Sequence, residues 1–407
     1  MLCSAEPARG AAGGGMIDVE HLPVVDVHCH PFLNRGPISA EAFTDLTAFG
    51  GGSRKFMEEG GVSWTPEVRD ELQQIKRNTI YFKRMILDLA AFFDVEPDVE
   101  TVVAARNAAV AEDYTRYVGR LYADVRLQTV VFDFGVPLPM LDVEQVRGEL
   151  PIEVVPVYRI EPLIADLLRM DIGWPEFRQR YDDAIANALT KQGYRGLKSI
   201  IAYRTGLDVS PLARTPDQGL QALDAIRRGL GGGSMKKLRD HLLCRALELC
   251  MEHNVPMQIH TGMGDFEVNL VLCRPAYLMD LLRFPVYRSC RVLLVHTGFP
   301  YHREAAYMAN VLPRVFLDVS EGIPFAGHAA RDIVRDVLAM APLNKVCYGS
   351  DGYTLPEINY TSAKLGKQAI KTVLEELVEE GMLTQQDAQE AAGMILADNA
   401  RRLYRLE

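Results

Sequence analysis

The sequence predicts an α/β fold: a (β/α)8 TIM barrel carrying a helical insertion between its first and second strands. Three observations predict it. Eight short β-branched runs recur along the chain, each followed by a longer stretch of helical pattern, and strand–helix alternation implies parallel pairing through crossovers. The runs are nearly continuous in apolar residues, as in Val292-Leu293-Leu294-Val295, which suits strands covered on both faces. Several runs end in His or Asp where apolar sequence gives way to glycine, the pattern of a barrel whose strand ends share one site. A doubly wound sheet is the rival architecture, and it has no glycine-rich fingerprint here to support it.

Taken in order, residues 1–18 read as a disordered leader. Met1 to Met16, with Arg9, Gly10 and Gly13 to Gly15, lacks the apolar segment of a secretory signal, and Met16 is a candidate start. A single barrel domain is expected over 19–407. Its candidate strands are Val24 to Val27, Leu127 to Asp133, Glu153 to Tyr158, Gly196 to Tyr203, Val255 to His260, Arg291 to His296, Val315 to Val319 and Lys345 to Ser350. The long interval of about 34–126 reads as a helical insertion, with Thr65 as a cap, Pro66 at the first helical position and apolar residues at helical intervals through Ile75, Ile80, Phe82, Met85 and Leu89. Tyr81, Phe82, Phe92 and Phe93 are expected to form a packed helix face rather than a ligand box. Gly229 to Gly233 interrupts a helical region after the fourth strand and is expected to flex. Near the C-terminus Gly381 ends one helix, and Thr384 with Asp387 forms a capping box for the last.

Composition narrows the function. The chain has 407 residues, 48% of them hydrophobic and 24% charged, enough for one large core. A net charge of -10, without a basic stripe interleaved with aromatics, argues against a nucleic-acid binder and for a small-molecule substrate. The 7 cysteines are scattered without a CxxC pair, which reads as reduced and cytosolic. No stretch is apolar for long enough to span a membrane.

His28 and His30 close the first run, Val24-Val25-Asp26-Val27-His28-Cys29-His30. In a strand, positions i and i+2 face the same way, so both imidazoles reach one ion. The fourth run carries Lys198, the fifth ends Gln258-Ile259-His260-Thr261-Gly262, the sixth ends Val295-His296-Thr297-Gly298, and the eighth ends Gly349-Ser350-Asp351-Gly352. A lone strand-end histidine is ordinarily satisfied by a backbone carbonyl. Agreement among several strands makes a barrel-mouth site the better reading. His21, His241, His253 and His328 fall in leader, helix or loop contexts and read as structural, and His302, Arg303 and Glu304 read as the start of a helix opening at Pro300.

With those residues in its order, the chain resembles the metal-dependent amidohydrolase superfamily over nearly its whole length from Val24. The stretches His260-Thr261-Gly262-Met263-Gly264-Asp265, His296-Thr297-Gly298-Phe299-Pro300-Tyr301 and Asn399-Ala400-Arg401-Arg402-Leu403-Tyr404 are similar to the branch that includes the amidohydrolase-like half of nodulin and glutamine-synthetase fusion proteins. No glutamine-synthetase-sized domain follows Glu407, so on this resemblance the chain is a free-standing version. The resemblance implies a divalent metal held by His28, His30, His260 and Asp351. Three imidazoles and a carboxylate suit Zn2+ or a similar ion, which lowers the pKa of bound water towards about 7. It also implies that Lys198 is a carbamylated bridge in two-metal relatives and not a ligand in one-metal relatives, where His296 polarises the substrate or donates a proton. An ion pair within the barrel is the structural alternative for Lys198. Asp351 is the expected proton shuttle.

Arg159 and Glu161 follow the third run, Tyr203 and Arg204 the fourth, and Asp318 to Glu321 the seventh. Arg159, Tyr203 and Arg204 are the candidate substrate contacts, since guanidinium groups match a carboxylate bidentately. The leading expectation is hydrolysis of an amide or γ-glutamyl-like C–N bond in a small carboxylate-bearing molecule, with His296 and Asp351 catalytic. The alternatives are non-oxidative decarboxylation, which related one-metal branches perform with nearly the same ligands, and an inactive barrel serving as a binding protein. A homodimer is the family's common assembly, and the sequence fixes no interface.

Overall fold

The computed structural model describes residues 17–49 and 54–407; most of the expected leader lies outside them, as does Met16. Eight strands wind in sequence order into one all-parallel sheet: β1 (Val24–Cys29), β2 (Leu127–Asp133), β3 (Glu153–Arg159), β4 (Leu197–Ser199), β5 (Met257–His260), β6 (Val292–Val295), β7 (Val315–Asp318) and β8 (Val346–Cys347). The ring closes through backbone hydrogen bonds. Val27 N–H donates to Tyr348 O at 3.0 Å, and Asp351 N–H donates to His28 O at 2.9 Å. This is a (β/α)8 barrel.

Alternation along the strands divides the core in two. Val25, Val27, Val131, Val155, Val157, Leu293 and Val295 fill the barrel interior together with Leu403 and Tyr404 of the last helix. The intervening residues, such as Val24, Val130, Val154, Ile259 and Leu294, belong to the larger layer between strands and helices. Extending the inner rows two residues at a time brings Asp133 and Arg159 to the top of the barrel, and the inward phase of β4 and β5 adds Lys198 and His260; His296 breaks the alternation one residue after Val295, at a φ of 73°. Beneath them Gln258 spans the interior, its Nε2 donating to Val27 O at 2.9 Å and to Tyr404 Oη at 2.7 Å.

Five of the expected strands, β4 to β8, are shorter than their β-branched runs, β4 and β8 most of all. Gly196 to Tyr203 yields only β4, followed by a helical turn at Ile201–Arg204. Buried Glu161 ends the ladder: its Oε1 accepts from Ser199 Oγ at 2.7 Å and from Ile200 N–H at 2.9 Å. Lys345 to Ser350 yields only Val346–Cys347, because beyond it the chain pairs with β1 in an irregular register.

Between β1 and β2 lie the helices Ala40–Thr47, Arg54–Glu59, Pro66–Arg77, Ile80–Phe93 and Val99–Asp124. Thr65 caps Pro66–Arg77 by accepting from Val68 N–H. The apolar pattern expected to run through Ile75 and Ile80 breaks there. Asn78 ends one helix and Thr79 caps the next, so the phase restarts, and Ile75 and Ile80 are 48% and 62% exposed. Tyr81 and Phe82 are buried, Phe92 meets Tyr360 edge-on, and Phe93 stacks on Tyr117, a packed face as expected.

This helical segment is tied to the helix after β8, Pro356–Glu379, by a dry ion pair. Arg106 Nε donates to Glu357 Oε1 at 2.8 Å, Tyr117 Oη donates to the same oxygen at 2.8 Å, and Arg106 and Glu357 are both fully buried. Farther on, Gly229, Gly232 and Gly233 all adopt positive φ in the turn between helices Pro216–Arg227 and Ser234–Glu252. Thr384 and Asp387 form the expected capping box. The helix expected at Pro300 begins at His302, whose Nε2 lies 2.9 Å from Asp336. All six cysteines among the described residues are buried and free. No helix among the described residues is long and apolar enough to cross a membrane.

His241 is structural: its Nδ1 lies 2.8 Å from Ala213 O and its ring meets Trp174 edge-on. Burial lowers its pKa below the usual 6.5, so on acidification the unfolded chain takes up a proton that the folded one resists. Its contribution to stability is therefore present above about pH 6.5 and is lost as the pH falls below that value. The difference in Tm between wild type and His241→Gln is expected to shrink as pH is lowered from about 8 to about 5. A constant difference would show that His241 titrates alike in both states.

Candidate active site

At the C-terminal end of the strands a cavity of about 260 Å³ is lined by His28, His30, Lys198, His260, His296 and Asp351, with Arg159, Tyr203 and Arg204 also on its wall. All nine residues singled out in the sequence thus meet in one pocket. Phe49, Val136, Ile200 and Tyr353 supply its apolar surface.

The donors fall into two groups. Ligand atoms of His28, His30 and Asp351 lie within 4.8 Å of one another, as do those of His260, His296 and Glu321. Lys198 touches the first group, its Nζ 3.1 Å from His28 Nε2. The His260 and His296 ring centroids are 4.4 Å apart, and those of His28 and His296 4.9 Å.

Hydrogen bonds behind the rings decide which nitrogens face inward. His30 Nδ1 lies 3.2 Å from Asp133 O, a carbonyl that can only accept, so Nδ1 carries a proton and Nε2 is the nitrogen turned into the site. That nitrogen lies 3.3 Å from Asp351 Oδ1, as does His28 Nε2. His296 Nδ1 lies 3.2 Å from Ser320 Oγ, which itself donates to Asp318 Oδ1 at 2.9 Å, so Nε2 of His296 is the lone-pair nitrogen. Asp351 Oδ1, Glu321 Oε2 and His260 Nε2 are buried without a hydrogen-bond partner among the described residues. Buried polar atoms are rarely left unpaired. Neutral imidazole and carboxylate oxygens are the donors a divalent ion takes, so these residues fit the metal that the barrel class implies.

Electrostatics of the histidines His28, His260 and His296 and of Asp351 agree with that fit. Burial pushes the pKa of His28 down to about 4, Lys198 adding to the effect, and holds His260 and His296 well below the usual imidazole range, so all three are neutral at pH 7. Burial would raise the Asp351 carboxyl, but His296, His28 and His30 around it hold it well below the usual carboxylate range. Burial lowers Lys198 to about 8 despite the nearby Asp133 carboxylate. Burial raises Glu321 well above its usual range, and the neighbouring Asp351 and Asp265 carboxylates add to this.

The backbone is strained where the site is built. His296, Thr297, Glu321 and Asp351 have φ of 73°, 61°, 58° and 58°, a left-handed region that ordinary side chains avoid and that clusters at functional positions. Asp26 helps to hold the eighth-strand end: its Oδ1 accepts from Ser350 N–H at 2.9 Å, and its Oδ2 accepts from Ser350 Oγ and from Asn359 Nδ2.

Arg159 is less free than its position in the sequence suggested. Its Nε lies 2.9 Å from Asp133 Oδ2 and its Nη2 bonds the same carboxylate, leaving Nη1 without a partner among the described residues. A Cβ on Gly135 would lie 2.2 Å from the Arg159 side chain, so only glycine admits the arginine. Tyr203 packs edge-on to His260, and its Oη accepts from Asp265 N–H at 2.9 Å. Arg204 is exposed and has no ion-pair partner among the described residues.

Three positions of the candidate site escaped the sequence reading in whole or part. Glu321 was grouped only with substrate contacts at the seventh strand end, and Asp133 and Asp265 were not singled out. The signal was present for two of them: Glu321-Gly322 has the same carboxylate-before-glycine pattern as Asp351-Gly352, and Asp133 ends an apolar run two residues before Gly135. Nothing local marks Asp265, whose place depends on the loop fold.

An eight-stranded parallel barrel with histidines and carboxylates converging at its C-terminal mouth defines the class of metal-dependent barrel enzymes. The chain belongs to the amidohydrolase family, whose model matches residues 168–406. Protein fluG of Emericella nidulans is 28% identical over 360 residues, covering 81% of this chain and 41% of that protein, so the chain spans well under half of this curated relative. Among solved structures, a protein of Lactobacillus casei assigned provisionally as a metal-dependent hydrolase superposes with a TM-score of 0.80 at 22% identity, covering 96% of this chain and 98% of that one. A uronate isomerase of Bacillus halodurans superposes with a TM-score of 0.64 at 13% identity, covering 96% and 94%. These superpositions show the shared fold.

Proposed function

We propose that the protein is a metal-dependent hydrolase of an amide or γ-glutamyl-like C–N bond in a small carboxylate-bearing substrate. The observation that supports this reading is the pair of adjacent donor groups, His28/His30/Asp351 and His260/His296/Glu321, with unpartnered ligand atoms and with Lys198 bonded to the first. Room for two cations favours hydrolysis over decarboxylation, which the one-metal branches perform. The divalent ion, Zn2+ by donor chemistry, activates water at neutral pH and polarises a carbonyl when bound.

The chain's own residues do the rest. Asp351, ionised and at the mouth of the barrel, accepts a proton from the attacking water and passes it to the leaving nitrogen. Water supplies the oxygen of the new carboxylate, the C–N bond breaks, and the amine leaves with the water's protons. His296, fixed by Ser320, faces the developing oxyanion. Arg159 and Arg204 anchor a substrate carboxylate, and Phe49, Val136 and Tyr353 exclude bulk water. Lys198, held near 8, spends part of its time as the free amine that reacts with CO2 to form a carbamate.

A panel of γ-glutamyl amides, N-acyl amino acids and aromatic carboxylates, offered to the metal-loaded protein, is expected to yield amine from the first or second class. Release of CO2 from the third, without amine from either of the others, would replace hydrolysis with decarboxylation. Glu321→Gln is expected to lower the metal bound per chain in elemental analysis while leaving the His28/His30/Asp351 site occupied. Unchanged stoichiometry would remove Glu321 from the ligand set.

A further inference from the structure

We propose that the pocket recognises an α-amino acid head group, binding its carboxylate and its ammonium at separate walls; this rests on the hydrolase reading and specifies the acyl half of the substrate. Charges of both signs line the cavity without forming an ion pair between Arg204 and either Asp265 or Glu267 among the described residues. Arg204, Asp265 and Glu267 all line the cavity of about 260 Å³, yet none of their side chains has an ion-pair or hydrogen-bond partner among the described residues. Arg159, only 8% exposed, adds a buried guanidinium whose Nη1 is likewise unpartnered.

The two polarities come from different segments of the chain. Asp265 and Glu267 lie on the loop after β5, fixed where Met263 N–H donates to Phe299 O at 2.7 Å and Asp265 N–H donates to Tyr203 Oη at 2.9 Å. Arg204 ends the helical turn after β4, and Arg159 ends β3. Because Tyr203 Oη accepts from Asp265, its hydroxyl proton is left to donate to a ligand oxygen. A Cβ on Gly264 would lie 2.0 Å from that Oη, so the loop approaches this closely only with glycine there.

A plain dicarboxylate satisfies the arginines but sets its negative charge against Asp265 and Glu267. A plain amine does the reverse. A zwitterion matches both walls: its α-carboxylate at Arg159 and Arg204, its α-ammonium at Asp265 and Glu267, and its side-chain acyl carbon directed towards Asp351. A γ-glutamyl amide has this head group and a scissile amide at its far end.

Calorimetric titration of the metal-loaded full chain with L-glutamate, glutarate and 4-aminobutanoate tests this without requiring turnover. L-glutamate is expected to bind at least about tenfold tighter than glutarate, which lacks the ammonium, and than 4-aminobutanoate, which lacks the α-carboxylate, a difference of about 1.4 kcal/mol. The double substitution Asp265→Asn with Glu267→Gln is expected to remove the preference over glutarate, and Arg204→Gln the preference over 4-aminobutanoate. Equal binding of glutamate and glutarate, or no binding of any probe, by the wild type overturns the proposal whether or not the variants fold. If the preference holds but γ-glutamyl amides are not turned over, the hydrolase reading fails alone. If γ-glutamyl and glutaryl amides are turned over with equal kcat/KM, the head-group proposal fails alone.

Discussion

Asp351→Asn is expected to lower turnover by roughly 10²–10⁴-fold, the range for loss of a positioned proton-transfer group, and to weaken metal retention as well. Asp351 Oδ1 stands 3.3 Å from Nε2 of both His28 and His30, so the carboxylate is at once the anionic partner of that donor group and the nearest base. Asparagine keeps the shape but presents neither a full negative charge nor a proton acceptor of suitable basicity. His28→Ala is expected to abolish activity by removing a donor on the opposite side of the same group. Both variants are expected to unfold close to wild type, because these side chains converge on one another rather than on the apolar layers. Elemental analysis, kcat/KM and thermal unfolding together check this. Wild-type turnover by either variant after chelation would remove the metal from the mechanism.

Glu357→Gln is expected to destabilise the fold by about 3–5 kcal/mol, the usual cost of breaking a buried ion pair from one side. Arg106 and Glu357 are both 0% exposed, so neither charge can turn to water when its partner is removed. Glu357 Oε1 also accepts from Tyr117, and Arg106 Nη1 donates to Gly36 O at 2.8 Å, so one substitution disturbs contacts from three parts of the chain. Replacing both partners by apolar residues of similar volume, Arg106→Met with Glu357→Leu, is expected to recover most of the loss, since no lone charge then stays buried. The shift in urea midpoint for the single and double variants measures the difference. A single variant as stable as wild type would show that water reaches the pair.

Much of the architecture was legible because a parallel barrel repeats one pattern. β2 begins and ends at the residues expected, Leu127 and Asp133, since its apolar run coincides with its buried length. β4 did not, because the β-branched residues Ile200 and Ile201 continue the pattern past the point where Glu161 bends the chain. Period and composition carry no information about a side chain arriving from the first turn of the helix after β3. The same limit applies at the site. His28, His30, Lys198, His260, His296 and Asp351 were identifiable because each lies in or just beyond an apolar strand run. Glu321 lies beyond its strand, at a φ of 58° that swings it back beside His296, and Asp265 depends on a loop folded against Tyr203.

The account's central claim is that this barrel cleaves a C–N bond with water under control of a divalent ion. The most direct test is to incubate the metal-loaded protein with a γ-glutamyl amide in ¹⁸O-labelled water and to follow the products by mass spectrometry, before and after chelation. The account predicts amine release, one ¹⁸O in the newly formed carboxylate, and loss of both on chelation with recovery when metal is restored. Product formed without ¹⁸O, or formed at the same rate by the stripped protein, would contradict it.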